Sequence, residues 1–274
     1  MIANEKLMQK LLRIRNEVKE RAPLIHCITN PISINDCANI VLAAGARPIM
    51  AEHPKEVAEI TALSAALALN LGNITDVRME SMRIAARTAM QRRLPVILDL
   101  VGVACSSLRR DYAQAMIAEC RPTVIKGNVS ELRAICGLPS CAAGIDAGAA
   151  DKITPDSRES YAHVLGAYAR EHHAVLVASG AFDFITDGNS SWLVGNGTPR
   201  LAEITGTGCM LNVLIAAFMS CGDCSAAALL GVLLMGIAGE AADPARGPGS
   251  FRAGLIDEIY ALTDSQLLRN ARLV

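Results

Sequence analysis

The sequence predicts an α/β fold, a mostly parallel central sheet with helices on both faces, and three observations carry that prediction. Short apolar runs alternate with helix-period segments between residues 24 and 179. An Asp187-Gly188 pair between two apolar runs marks a single hairpin late in the chain. The core must be aliphatic, because 51% of residues are hydrophobic and only 3% aromatic. Such alternation is the pattern of βαβ crossovers, which bury both faces of a sheet. With 274 residues, no low-complexity tract and no internal repeat, one domain spanning 1–274 is expected.

Leu7, Leu11, Ile14 and Val18 recur at helical spacing, predicting an amphipathic helix over 6–18 that sits as a peripheral lid on the core. Strands are expected at 24–28, 48–50, 66–71, 96–100, 124–126 and 175–179. Helices are expected between them at 36–44, 54–63, 76–92, 108–119, 129–136 and 157–171. Thr75 is suited to N-cap the helix that follows it, and Gly45 to end the one before it. Residues 182–186 and 192–194 flank Asp187-Gly188 as an antiparallel addition to the sheet. The uncharged runs 204–222 and 224–239 each approach the roughly 20 residues of a membrane span. Gly206, Gly208, Asn212 and Ser220 interrupt the first, and Gly231 and Gly236 the second, so two buried core helices are the expectation.

Charge narrows the partners. Lys and Arg number 26 against 27 for Asp and Glu, so no net field draws the chain to nucleic acid or an anionic membrane, and a small molecule is the expected ligand. The nine cysteines are odd in number and scattered. Cys221 and Cys224 have CxxC spacing but no second pair to complete a metal site, so reduced thiols of a cytoplasmic protein are expected. The N-terminus mixes Glu5, Lys6 and Lys10 with its leucines and lacks the apolar stretch of a signal peptide.

In open sheets of this kind ligands sit beyond the carboxyl ends of the strands, so the polar residues there are the site candidates. Thr205-Gly206-Thr207-Gly208-Cys209 opens an apolar helix. Its glycines let backbone N–H groups of Gly206, Thr207, Gly208 and Cys209 converge on an anion at the helix N-terminus, although a tight turn into a core helix needs the same residues. Cys209 lies in the first turn, where the dipole is expected to lower its pKa and make it a weak base; a buried structural thiol is the alternative. Asn128-Val129-Ser130-Glu131 reads as a capping box, and Glu131 also as a carboxylate for Mg²⁺. Asp99 ends a strand where a second metal-side carboxylate would be useful, or caps the next loop. Lys126 suits a nucleotide phosphate or a solvated strand exit, and Ser179 offers a hydroxyl at another strand end. Asn30, Asn35 and Asn39 are candidate ligand amides, with Asn35 equally a helix cap. Met50 suits a flat ring or the core.

In this order the segments resemble the hydroxyethylthiazole kinase family, from Pro23-Leu24-Ile25-His26-Cys27-Ile28-Thr29-Asn30 to Gly247-Pro248-Gly249-Ser250-Phe251. The resemblance implies a ribokinase-like fold, a homotrimer with active sites at subunit interfaces, and phosphorylation of 4-methyl-5-(2-hydroxyethyl)thiazole by ATP and Mg²⁺ in thiamine salvage. It implies substrate-binding roles for Met50, Gly206 and Asn30, and a catalytic role for Cys209. Lys126 and Ser179 match ATP-binding positions, and Asp99 and Glu131 match acids near the metal. Three departures stand out: Lys126 where the family has arginine, Ser179 for threonine, and Leu100 for proline in the Asp-Pro-Val-Gly loop, which also lacks its downstream glycine at Val103-Ala104-Cys105. Lysine keeps the charge but not the bidentate fork. A kinase for hydroxymethylpyrimidine or another small alcohol, and a non-catalytic nucleotide or thiazole sensor, are the alternatives.

Overall fold

The computed structural model describes residues 2–139, 151–244 and 246–274; Cys141 lies outside them. The first seven strands and helices alternate as expected: α1 (Ile2–Arg21), β1 (Leu24–Ile28), α2 (Ile34–Ala43), β2 (Arg47–Ile49), α3 (Val57–Leu63), β3 (Ala66–Asn70) and α4 (Asp76–Arg92). Next come β4 (Val96–Asp99), α5 (Ser107–Cys120), β5 (Val124–Asn128), α6 (Val129–Ile135), α7 (Arg158–His172), β6 (Val175–Ser179) and the hairpin β7 (Asp183–Thr186) and β8 (Ser191–Val194). Four helices close the chain: α8 (Thr207–Met219), α9 (Cys224–Ala242), α10 (Pro248–Ala261) and α11 (Asp264–Asn270).

The strands form one eight-stranded sheet in the order β2-β1-β3-β4-β5-β6-β7-β8, parallel through β6 and antiparallel for the two hairpin strands. Period-2 alternation divides the side chains between two apolar layers. Ala66 and Ala68 of β3 join the layer of α1, α2, α8, α9 and α10, while Leu67 and Leu69 join that of α4 and α5. The alanines on one face leave room for α8 to lie close on the sheet, and a larger residue there would push it away.

Local signals hold where they were read. Thr75 accepts the N–H of Arg78 at 3.2 Å as N-cap of α4, and Gly45 follows α2 at φ +95°. Asn128 and Glu131 close a capping box on α6. Three expectations change. The N-terminal helix is longer than 6–18 and is no peripheral lid: Leu11, Ile14 and Val18 are buried against α8 and α9. Asn35 does not cap α2, whose N-cap position is Ser33; it accepts from Asn39 Nδ2 at 3.1 Å on an exposed helix face. Strand β2 ends at Ile49, leaving Met50 in the loop. Helix α9 is long and apolar enough to cross a membrane, but 78% of that stretch is buried inside the protein, as a core helix is. Eight described cysteines are free, and no cluster of three or more His, Cys, Asp or Glu suited to a metal occurs among the described residues.

Candidate active site

Strand parity builds the centre. Ala68, Ile97 and Val124 face α8, so the residues two further along face it too: Asn70 and Asp99, which end β3 and β4, and Lys126, midway along the neighbouring β5. Register aligns them in a row, Asn70 beside Asp99 and Asp99 beside Lys126. Lys126 Nζ donates to Asp99 Oδ1 at 2.9 Å, and Asn70 Nδ2 donates to Asp99 Oδ2 at 2.8 Å. The same Asn70 nitrogen lies 3.4 Å from Cys209 Sγ, joining the sheet to the first turn of α8. Asn70 Oδ1 accepts the N–H of Gly72 at 2.8 Å, completing its amide. All four side chains are buried.

Asn70 did not stand out in the sequence, where it reads as the penultimate residue of an expected strand. Strand parity combined with the strand-end rule was the signal that could have found it. Arg78 was also missed. Buried beneath the strand ends, it donates to Gly72 O at 3.0 Å, Asn73 O at 2.9 Å and Thr29 O, and so ties the β1 and β3 exits together. Asn30 lies at the same junction, where a Cβ on Gly72 would come within 2.4 Å of its Nδ2; only glycine admits that contact. Asn30 also accepts the N–H of Ile32 at 3.3 Å.

The loop entering α8 has the geometry of an anion cradle. Gly206 is the N-cap at φ +92°, a left-handed conformation, and a Cβ there would stand 2.7 Å from Ser33 Cβ. Thr207 and Gly208 follow as the first helical residues, with their N–H groups unsatisfied within the helix. A Cβ on Gly208 would sit 3.6 Å from Lys126 Nζ, so the ammonium lies just behind the cradle. Lys126 is therefore no solvated strand exit: it is 2% exposed. Burial opposes its charge, but Asp99 holds its pKa above the ordinary lysine value. For Asp99 burial raises the pKa, with Lys126 and Asn70 opposing.

One site expectation is corrected, and for a second the structure shows one of its two alternatives. Cys209 was expected to have a lowered pKa; instead burial first, and Asp99 next, push its thiol above the usual value, because desolvation outweighs the dipole. Glu131 was read as cap or metal carboxylate, and the cap is realised: Oε1 accepts the N–H of Gly102 and Oε2 that of Asn128, each at 2.7 Å. Burial and Asp99 raise Glu131 to about 7. By pinning Gly102, Glu131 also fastens the loop after Asp99, where Leu100 stands.

A cavity of about 500 Å³ opens beside the cradle. Asn128, Ser179, Asp183, Thr207 and Gly208 give it a polar wall, and Leu201, Leu211 and Met235 an apolar one. Polar groups at a helix N-terminus beside apolar surface suit a phosphate chain and a flat base. Of the expected nucleotide residues Ser179 reaches the cavity and donates to Gly127 O at 3.3 Å, while Lys126 stays behind its wall. Asp183, Leu201 and Met235 were not anticipated; nothing local marks them, since they come from β7, the turn Pro199–Glu203 and α9, which meet only in the folded protein. Met50 is half-buried against the α8 layer. The next residue, Ala51, accepts through its carbonyl from His26 Nε2 at 2.9 Å.

Residues 15–265 match the family model described as the hydroxyethylthiazole kinase family. A protein of Clostridium botulinum (strain Okra / Type B1) named hydroxyethylthiazole kinase 2 is 50% identical over 262 residues, 96% of this chain and 99% of its own. The hydroxyethylthiazole kinase of Methanobrevibacter smithii is 38% identical over 284 residues, spanning 100% of this chain and 99% of its own. Among solved structures, that of a hydroxyethylthiazole kinase protein from Pyrococcus horikoshii OT3 superposes with a TM-score of 0.86 at 30% identity, covering 96% of this chain and 98% of that one. A ribokinase-like superfamily protein from Enterococcus faecalis V583, at 13% identity and a TM-score of 0.58 over 88% of each chain, shares the fold alone. With the family model spanning most of the chain and such relatives aligned along nearly all of it, this chain belongs to the hydroxyethylthiazole kinase family.

Proposed function

We propose that this chain transfers the γ-phosphoryl group of ATP to the hydroxyethyl oxygen of 4-methyl-5-(2-hydroxyethyl)thiazole, a step of thiamine salvage. Family membership supports the reaction, and one structural observation carries the assignment of its site. The N-terminus of α8, with Gly206 at φ +92°, opens onto a cavity of nucleotide size on one side and meets Cys209 and Asp99 on the other.

In this reading the nucleotide occupies the cavity, with its base against Leu201 and Met235 and its phosphates at Ser179, Thr207 and Gly208. The thiazole lies near Met50, Asn30 and Gly206. The hydroxyl oxygen attacks the γ-phosphorus in line, the bond to the β-phosphate oxygen breaks, the hydroxyl proton passes to an oxygen of the transferred phosphoryl group, and ADP leaves. Backbone N–H groups of residues 206–209 and the buried Lys126 ammonium stabilise the charge on the equatorial oxygens. A divalent cation bound with the nucleotide, Mg²⁺ in this reading, supplies further neutralisation. Cys209 remains a thiol at neutral pH and orients the attacking hydroxyl. A loose phosphoryl transition state demands little from a base, so Cys209 matters by degree. The full chain, 1–274, acts as one domain, in the cytoplasm and as a homotrimer, which light scattering of the purified protein checks.

The deciding assay is ADP formation with ATP and Mg²⁺, alone, with hydroxyethylthiazole, and with hydroxymethylpyrimidine. Thiazole-dependent turnover is expected. Turnover with the pyrimidine alone would move the assignment to that alcohol, and ligand binding without ADP would make the chain a sensor.

A further inference from the structure

The chain from Gly195 to Gly206 joins β8 to α8 without strand or α-helix, so its backbone polar groups need partners from elsewhere in the fold. Asn196, Gly197 and Leu201 of this segment line the cavity on the side that carries Met235. The last two turns of α9 hold them there. Gly197 N–H donates to Glu240 Oε1 at 2.5 Å, and Asn196 Nδ2 donates to Glu240 Oε2 at 3.3 Å and to Asn270 O at 2.9 Å. Asn196 Oδ1 accepts the N–H of Arg272 at 2.7 Å, which turns the whole amide into this network. The Arg272 guanidinium returns to Glu240, with Nη1 donating to Oε2 at 3.1 Å and Nη2 to Oε1, and Nη2 also donates to Gly195 O at 2.8 Å.

The helix face is shaped for this contact. A Cβ on Gly236 would lie 2.7 Å from Asn196 Cβ and 2.8 Å from its carbonyl, and one on Gly239 would lie 3.2 Å from Leu201. Glu240 stands one turn beyond Gly236, so a single stretch of α9 seats both Asn196 and Leu201 beside Met235. Glu240 itself does not line the cavity, and its side-chain partners Asn196, Gly197 and Arg272 belong neither to the cradle nor to the row of Asn70, Asp99 and Lys126.

We infer that Glu240 is a positioning residue for the nucleotide base: its carboxylate fixes Asn196 and Gly197 against α9 and so keeps the slot between Leu201 and Met235 at the width of a flat ring. A slot formed in advance spares the bound nucleotide the entropic cost of ordering an irregular segment, so the carboxylate acts on nucleotide affinity and leaves phosphoryl transfer alone. This inference rests on the nucleotide reading of the cavity.

The experiment is steady-state kinetics of the full chain, with ATP and hydroxyethylthiazole varied in turn, beside calorimetric titration with AMP-PCP and Mg²⁺. Glu240→Ala is expected to raise KM for ATP and Kd for AMP-PCP ~10-fold, with kcat and KM for the thiazole within ~2-fold, the pattern of lost uniform binding. Glu240→Gln keeps an acceptor oxygen and should recover most of the affinity. Arg272→Ala leaves the bonds from Asn196 and Gly197 to Glu240 in place and should weaken the nucleotide less than Glu240→Ala does. Unchanged nucleotide affinity in Glu240→Ala overturns the inference, as does an equal rise in KM for both substrates. A fall in kcat with both KM values unchanged also overturns it, because that is a smaller folded fraction and a purely structural role, and so does a Gln variant no better than Ala. If the unmodified protein binds no AMP-PCP, the nucleotide reading itself falls and takes this inference with it.

Discussion

At Cys209 two effects of opposite sign meet. The α8 N-terminus favours a thiolate, while burial and the nearby Asp99 disfavour it, and burial wins. A thiol held above its ordinary pKa should alkylate slowly. Iodoacetamide at pH 7.5, read out site by site by mass spectrometry, should label exposed Cys105 well before Cys209; fast labelling of Cys209 would restore it as a resident base. Asn70 is the other residue on which the centre depends, because one amide nitrogen serves both Asp99 and Cys209. Asn70→Ala leaves an Asp99 oxygen buried and without that donor, a loss worth ~1–3 kcal/mol at such a site. If the loss falls on the transition state, kcat drops roughly 10- to 100-fold while KM for ATP moves little. A variant that raises only KM for ATP would show that Asn70 merely shapes the nucleotide cavity. The cysteine was legible in the sequence and Asn70 was not, because its role exists only once β3, β4 and α8 are brought into register.

Among the elements, the strands and helices between β1 and β6 were read from periodicity to within a few residues, since each buries one regular face. The end of β2 was misjudged because Met50 continues an apolar run although pairing with β1 stops at Ile49. The β2–α3 loop that carries Met50 is instead fixed by His26, fully buried in β1, whose Nδ1 meets Thr61 Oγ1 at 2.8 Å and whose Nε2 meets Ala51 O. A carbonyl only accepts, so the neutral ring carries its proton on Nε2. Burial lowers the His26 pKa. The unfolded chain therefore takes up a proton first as pH falls, and this contribution to stability is present above about 6.5 and lost below it. His26→Ala removes both contacts and leaves a cavity, a change of ~2–4 kcal/mol. It should also raise KM for the thiazole more than KM for ATP. An equal rise in both would mean that the β2–α3 loop does not shape the alcohol site. The α8 entry gives a sharper case. Gly206→Ala needs a left-handed alanine, costing ~1–2 kcal/mol, and places its methyl on Ser33. Turnover should fall at least ~10-fold while the melting temperature drops only a few degrees. Melting without loss of turnover in the folded fraction would exclude the cradle from catalysis.

Across the whole molecule, layer assignment and chemistry have one origin. The parity that buries aliphatic residues against α8 sends Asn70, Asp99 and Lys126 of β3, β4 and β5 to the same face, where the apolar layer ends in a polar, charged row. Layering was visible in the composition and alternation of the chain, but the consequence of burying that row was not, because desolvation depends on packing that no local motif records. Its signature is acids that retain protons in the native state. Glu131 titrates at about 7 against an ordinary 4.5, and Asp99 is raised as well. A raised acid binds more protons folded than unfolded, so its stabilisation is complete below the unfolded value and declines as pH rises through the folded one. Between pH 6.5 and 8 the unfolded chain releases the His26 proton, which raises stability by about 0.4 kcal/mol, while Glu131 and Asp183, both raised to about 7 by burial, each lower it by roughly 0.8 kcal/mol, leaving a net fall of about 1 kcal/mol. For a chain of this length that is a fall of about 2–4 °C in melting temperature, readable by calorimetry on the ligand-free protein at constant ionic strength. Glu131→Gln should melt lower at pH 6.5, having lost one of two backbone clasps, and show a flatter slope across the same interval. A melting temperature that climbs from pH 6.5 to 8, or a slope unchanged in the Gln variant, would mean that Glu131 is already ionised, held so by the N–H groups of Gly102 and Asn128.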